Sequence, residues 1–98
     1  MKYLSLPGTD LKASVLSLGC MRMNSLDDAG AARLLKTALE QGINFFDHAD
    51  IYGAGACEEQ FARAVRTLGI RRQEMLIQSK CGIRPGMYDF SKEHILTS

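Results

Sequence analysis

The sequence predicts an α/β fold built on a parallel sheet. Three observations carry that prediction. Short apolar segments at 16–19, 43–47 and 75–80 have the length and composition of buried strands. Segments at about 28–41 and 57–68 repeat their apolar residues at helical spacing. The two kinds alternate, and strands joined through helices pair in parallel by right-handed crossovers.

The elements follow in order. Residues 2–6 (KYLSL) and 11–16 (LKASVL) flank Pro7-Gly8-Thr9-Asp10, whose proline and glycine supply turn geometry, so the chain opens with a β-hairpin. Leu16-Ser17-Leu18-Gly19 is the first strand of the sheet. A polar loop with Asn24 and Ser25 then leads to Asp27 or Asp28, either of which supplies a side-chain oxygen to an orphan backbone N–H of the first helix. That helix runs to about Gln41, with Ala31, Leu34, Leu35, Ala38 and Leu39 on one face. Gly42 stands where a left-handed C-terminal cap belongs. Ile43-Asn44-Phe45-Phe46-Asp47 is the second strand, and Gly53 and Gly55 loosen the loop behind it. The second helix buries Phe61, Ala64, Val65 and Leu68 and stops at Gly69. Met75-Leu76-Ile77-Gln78-Ser79-Lys80 is the third strand. Residues 81–90, with Gly82, Pro85 and Gly86, read as irregular. Ser91 caps a short turn through Ile95, and Thr97-Ser98 has the character of a further helix cap. Residues 1–98 form a single domain, 1–15 as the hairpin and 16–98 as the alternating units.

Composition narrows the function. With 46% apolar and 23% charged residues the chain is globular rather than disordered. Twelve basic and eleven acidic side chains leave a net charge of +1. The single basic doublet, Arg71-Arg72, reads as a solvated turn, so nothing offers nucleic acid the basic patch it needs. No window approaches the ~20 apolar residues of a membrane span, and the N-terminus lacks the apolar core of a signal peptide. Cys20, Cys57 and Cys81 are odd in number and form no CxxC pair, which argues for free thiols in a reducing, cytoplasmic setting.

In a parallel α/β fold chemistry gathers at the carboxyl ends of the strands. Three segments end there, at Gly19-Cys20, at Asp47 and at Lys80. Strand parity puts Asp47 on one face with Phe45 and Ile43, and Lys80 on one face with Gln78 and Leu76. If both faces point inward, the aspartate and the lysine meet at the mouth of one core, within reach of Tyr52. An ammonium beside a phenol favours the phenolate, and an aspartate balances the ammonium, giving a proton donor suited to a carbonyl reduced by a nicotinamide hydride. Each residue also has an ordinary explanation: Asp47 as a turn cap, Lys80 as a solvated side chain, Tyr52-Gly53 as packing and turn. Asp47, His48 and Asp50 in FFDHADIYG could instead be metal ligands. Parity sends Asp47 and His48 to opposite faces, however, and no cysteine pair or HxH supports a metal centre.

These residues also carry a resemblance. Asp47-His48-Ala49-Asp50-Ile51-Tyr52-Gly53 resembles the D-x-A-x-x-Y-G signature of the aldo-keto reductases. CEEQFARAV resembles the family's acidic helix start, with Cys57 where a serine commonly stands. MLIQSKCG resembles the strand ending in the catalytic lysine, and LSLGCMRM resembles the first barrel strand and its loop. DHADIYG with SKCGI and YDFSKEHI is most similar to a bacterial oxidoreductase subgroup.

The resemblance implies the amino-terminal portion of a (β/α)₈ TIM barrel, its bottom closed by the hairpin, and NADPH-dependent reduction of aldehydes or ketones. It implies Tyr52 as general acid, Lys80 as its cationic neighbour and Asp47 as the lysine's partner. Gly19, Cys20, Met21 and Asp47 match positions beside the nicotinamide and its ribose, Arg22 less closely. The family's catalytic histidine follows a fourth barrel strand, and neither His48 nor His94 matches it. A complete barrel has eight strands and about 250 residues. The 98 residues supply three barrel strands, so the resemblance implies an incomplete domain, inactive in isolation, with an open sheet edge suited to self-association. The alternative is a non-catalytic binding or regulatory module on the same fold, as in the family's channel-associated members.

Overall fold

The computed structural model describes residues 1–98. β1 (Tyr3–Ser5) and β2 (Lys12–Ser14) pair antiparallel as the opening hairpin. β3 (Ser17–Gly19), β4 (Phe45–Asp47) and β5 (Leu76–Gln78) form one parallel sheet in that order. Helix α1 (Asp28–Glu40) joins β3 to β4, and α2 (Ala56–Leu68) joins β4 to β5. The α/β class and its parallel sheet are as the alternating pattern requires. The strands are shorter than the apolar runs, but flanking residues carry the same parallel ladder onward: the Leu76 N–H donates to Asn44 O at 2.7 Å and the His48 N–H to Gln78 O at 2.8 Å.

The core lies between the sheet and the helices. Phe46, Leu35, Ala31 and Cys57 are sealed from solvent, with Phe61, Ala64, Ala38 and Met75 around them. Phe46 packs against Phe61 with the rings tilted, 5.4 Å between centroids, and aromatic pairs at that spacing add to simple area burial. Asp27, rather than Asp28, caps α1, accepting from the Gly30 N–H at 2.7 Å. Asp28 reaches across to Arg63 of α2 in a two-pronged pair at 3.0 and 3.2 Å. Leu34, expected in the core, is exposed; the apolar stripe of α1 is wider than the surface that covers it, and the buried positions are Gly30, Ala31, Leu35 and Ala38. Gln60 takes a place on the buried face of α2 that sequence reading gave to apolar residues alone, and its amide donates to Leu26 O at 2.8 Å.

The hairpin is tied to the sheet chiefly through Asn44, just before β4. Asn44 Oδ1 accepts from the Ser14 N–H at 2.8 Å, its Nδ2 donates to Lys12 O at 2.9 Å, and its own N–H donates to Ser14 Oγ at 3.1 Å. The Tyr3 hydroxyl adds a bond to Gly42 O at 2.9 Å.

Three expectations near the C-terminus are corrected. The stretch read as irregular contains a second hairpin, β6 (Ile83–Arg84) and β7 (Met87–Tyr88), turned at Pro85-Gly86 with Gly86 at φ +75°. It is too short to show alternation in sequence. Ser91 caps α3 (Lys92–Thr97), which runs past Ile95. Thr97 therefore closes this helix rather than capping another, and its hydroxyl donates back to Glu93 O and His94 O. Before the helix, Asp89 accepts from the Ser91 N–H and pairs with Arg84, which brings its carboxyl down to about 2.

Replacing Asn44 with alanine leaves the buried Ser14 amide without its acceptor. The expected cost is about 1–3 kcal/mol in urea unfolding, with faster hydrogen exchange at Ser14 than at amides of α2.

Candidate active site

Asp47 ends the middle strand, with Gly19 of β3 and Gln78 of β5 beside it in register. Because its neighbour Phe46 is fully buried toward the helices, alternation turns Asp47 to the other face of the sheet. Lys80 lies two residues beyond β5, where its carbonyl accepts from the Asp50 N–H at 3.1 Å. The loops after β4 and β5 are thus laced together below the side chains.

The Lys80 ammonium has three donors and finds three acceptors. Nζ donates to Asp47 Oδ1 at 2.9 Å, to His48 O at 2.6 Å and to the Tyr52 hydroxyl oxygen at 3.2 Å. It also stands 5.0 Å from the Tyr52 ring centroid. Tyr52 begins a tight turn in which Gly53, Ala54 and Gly55 all take positive φ, at 60°, 54° and 98°. Gly53 is required there twice over: its backbone is left-handed, and a Cβ would come within 2.8 Å of Asn24 Nδ2 and 3.0 Å of Cys57 Sγ.

The charges follow the contacts. The Lys80 hydrogen bond holds the Asp47 carboxyl below its ordinary range, against partial burial and with help from Gln78. The Asp47 bond in turn raises Lys80, so the ammonium is firmly protonated at neutral pH. Side-chain exposures of 47% for Lys80 and 28% for Asp47 leave the pair accessible to a ligand.

The structure thus brings Asp47, Tyr52 and Lys80 into contact. It separates the three residues weighed as metal ligands. His48 is buried on the helix side against Phe61, 4.4 Å between ring centroids, and burial lowers its pKa. Asp50 accepts from the Ser98 hydroxyl. Asp47 faces Lys80 on the opposite side of the sheet. Around β3, Gly19 has open space where a side chain would be and Met21 is exposed. Cys20 turns its thiol into the core, where burial first, and then Asp47, push it up to about 12. Cys57 donates to Met21 O at 3.6 Å and so ties that loop to the start of α2. Gln78 is the site residue that a motif reading passed over: its amide donates to Asp47 Oδ1 at 2.8 Å. Its signal was available in parity, since it lies two residues before Lys80 on the same face.

The model of the Aldo/keto reductase family matches residues 15–98. The chain belongs to the aldo/keto reductase family. It is 37% identical over 101 residues to a probable voltage-gated potassium channel subunit beta of Arabidopsis thaliana, covering 98% of this chain and 31% of that protein. It is 36% identical over 101 residues to an uncharacterized oxidoreductase of Bacillus subtilis, covering 91% of this chain and 34% of the relative. Among solved structures, an aldo-keto reductase from Bacillus halodurans in its holo form superimposes with a TM-score of 0.80 at 35% identity, over 97% of this chain and 33% of that one. A putative aldo-keto reductase from Pseudomonas aeruginosa gives 0.82 at 34% identity, over 98% and 38%. The chain spans about a third of the length of these relatives. Its parallel sheet and helices are accordingly part of the aldo-keto reductase barrel, and the family's chemistry is oxidoreduction.

The ion pair predicts a pH dependence. Asp47 titrates below its unfolded value, so its stabilisation is complete above the ordinary carboxylate range and disappears as pH falls through the depressed folded value. Asp47→Asn should flatten the acid limb of the stability curve, measured as the urea midpoint against pH, and leave the neutral plateau lower than wild type.

Proposed function

We propose that Tyr52, Lys80 and Asp47 form the proton-donating part of a site that reduces aldehydes or ketones to alcohols with NADPH. One observation carries the reading: a single ammonium is bonded at once to a carboxylate and to a phenolic oxygen. Because that oxygen accepts from Lys80, the phenol's own O–H is left to point at a carbonyl oxygen. As the proton leaves, negative charge develops 3.2 Å from Nζ, where the fixed ammonium stabilises it without reorganisation. Asp47 keeps the ammonium protonated and in place.

When bound, the nicotinamide supplies the hydride to the carbonyl carbon. The residues present fit that group in part. Gly19, paired with Asp47 across the ladder, offers an open backbone, Met21 beyond it an exposed side chain, and Cys20 its backbone, its thiol being buried. In the family, the elements for the adenosine and phosphates belong to later strands. We therefore assign the activity to a complete barrel, with residues 1–98 as one incomplete domain that is largely inactive alone. Free cysteines fit a reducing cytoplasm. The outer strands β3 and β5 give a sheet edge through which the chain would self-associate.

A second reading, a non-catalytic binding module, is favoured by the likeness to a plant protein described as a probable channel subunit beta. The two readings part at Tyr52. In a complete barrel carrying these residues, Tyr52→Phe should lower NADPH-dependent carbonyl reduction by roughly 10²–10⁴-fold with cofactor affinity retained, followed by loss of absorbance at the nicotinamide band. Turnover unchanged by Tyr52→Phe would end the reductase assignment to this trio.

A further inference from the structure

Gln78 is the one side chain at the site whose position no signature residue explains. It stands opposite Asp47 in the β4–β5 ladder, so its place beside the carboxylate is set by backbone register. Its Nε2 donates to Asp47 Oδ1 at 2.8 Å, the oxygen that also accepts from Lys80 at 2.9 Å. The two donors differ in kind. The lysine is a charged group at the end of a flexible four-carbon stem, emerging from a loop. The glutamine is a neutral donor with a short reach, rooted in a strand. An amide donor keeps its proton throughout the working pH range, so its bond persists whatever Lys80 does.

We propose that Gln78 is a positioning residue for the reductase site. It fixes the Asp47 carboxylate so that Lys80 is steered toward the Tyr52 hydroxyl rather than folding onto the carboxylate in some other geometry. The inference rests on the functional reading of Tyr52, Lys80 and Asp47 given above. Its physical basis is an acceptor count. With Oδ1 of Asp47 shared between two donors, Lys80 is held to that oxygen along one direction, and its remaining N–H groups fall on His48 O and the Tyr52 oxygen. Without the amide, the carboxylate is free to rotate about its last torsion and take the ammonium with it. A hydrogen bond to the ionised carboxylate also favours that form, in the same sense as the lysine does.

The other ionisable groups facing Asp47 are few. Lys80 and Tyr52 come from the loops, the neighbouring His48 is turned to the core, and Cys20 at the end of β3 is held as a neutral thiol by burial. A change at position 78 is therefore read against a quiet background.

The test compares Gln78→Met, which keeps length and removes the donor, with Gln78→Glu, which keeps shape and adds a second carboxylate. The first measurement is the carboxyl carbon-13 titration of Asp47, which needs no turnover. Gln78→Met should move that titration upward. Gln78→Glu should make the two carboxylates share a proton, giving a two-step titration in which one step is raised. The second measurement is carbonyl reduction by a complete barrel. Gln78→Met should lower kcat about tenfold with the KM for cofactor unchanged, as expected for a change confined to the transition state. Gln78→Glu should be most active at low pH, where the shared proton restores a donor, and lose activity as pH rises. An Asp47 titration unmoved in both variants overturns the inference, as does a raised titration with wild-type kcat and pH profile. If the parent barrel itself shows no turnover, the reductase reading fails, and with it the steering role, even where the titrations move. Failure of Gln78→Met to fold leaves Gln78→Glu to decide by the same two readouts.

Discussion

Phe46 sits at the centre of the middle strand, enclosed by the sheet and both helices and packed on Phe61. Strand geometry allows no compromise at the next position. With Phe46 directed at the helices, Asp47 must face the other way, and His48 must return to the helix side. The order of the charged residues in FFDHADIYG is thereby sorted into one group at the open face and one in the core. A register slip of a single residue would bury the carboxylate and expose the phenylalanine, a double cost that keeps the pairing with Gly19 and Gln78 fixed. The site geometry is downstream of that burial.

The fold was legible where it depends on periodicity. The helices announce themselves through Ala31, Leu35 and Ala38, and through Phe61 and Ala64; their limits follow from Asp27, Gly42 and Gly69. The meeting of Asp47 with Lys80 was also legible, because parity and strand-end position both act through the backbone. Three-residue strands sit at the limit of such reasoning. The β6–β7 hairpin has two residues on each side and leaves no pattern to read.

What stayed hidden was polar and long-range. Asn44 bonds to Ser14 and Lys12, some thirty positions away, and Gln60 is buried because it meets a carbonyl of the loop before α1. Nothing in the local sequence distinguishes such side chains from solvated ones. Gln78 is intermediate: its face was predictable, its bond to Asp47 only once the register was known. Thr97 shows the opposite error, a residue type common at helix starts that here closes a helix by bonding back to Glu93 and His94.

The left-handed run from Gly53 to Gly55 separates two kinds of control over the site. Asp47 is held by strand pairing in the sheet, and the Lys80 backbone, two residues beyond β5, by its bond from the Asp50 N–H. Tyr52 hangs instead on a turn wedged against Asn24 and Cys57, residues of the loop after β3 and the start of α2. A small change at either contact would tilt the phenol while the ion pair stayed put. Proton donor and charge balance are therefore anchored in different parts of the fold and meet at the Lys80–Tyr52 bond, so drift in the loop retunes the acid through that one contact without dismantling the Asp47–Lys80 pair.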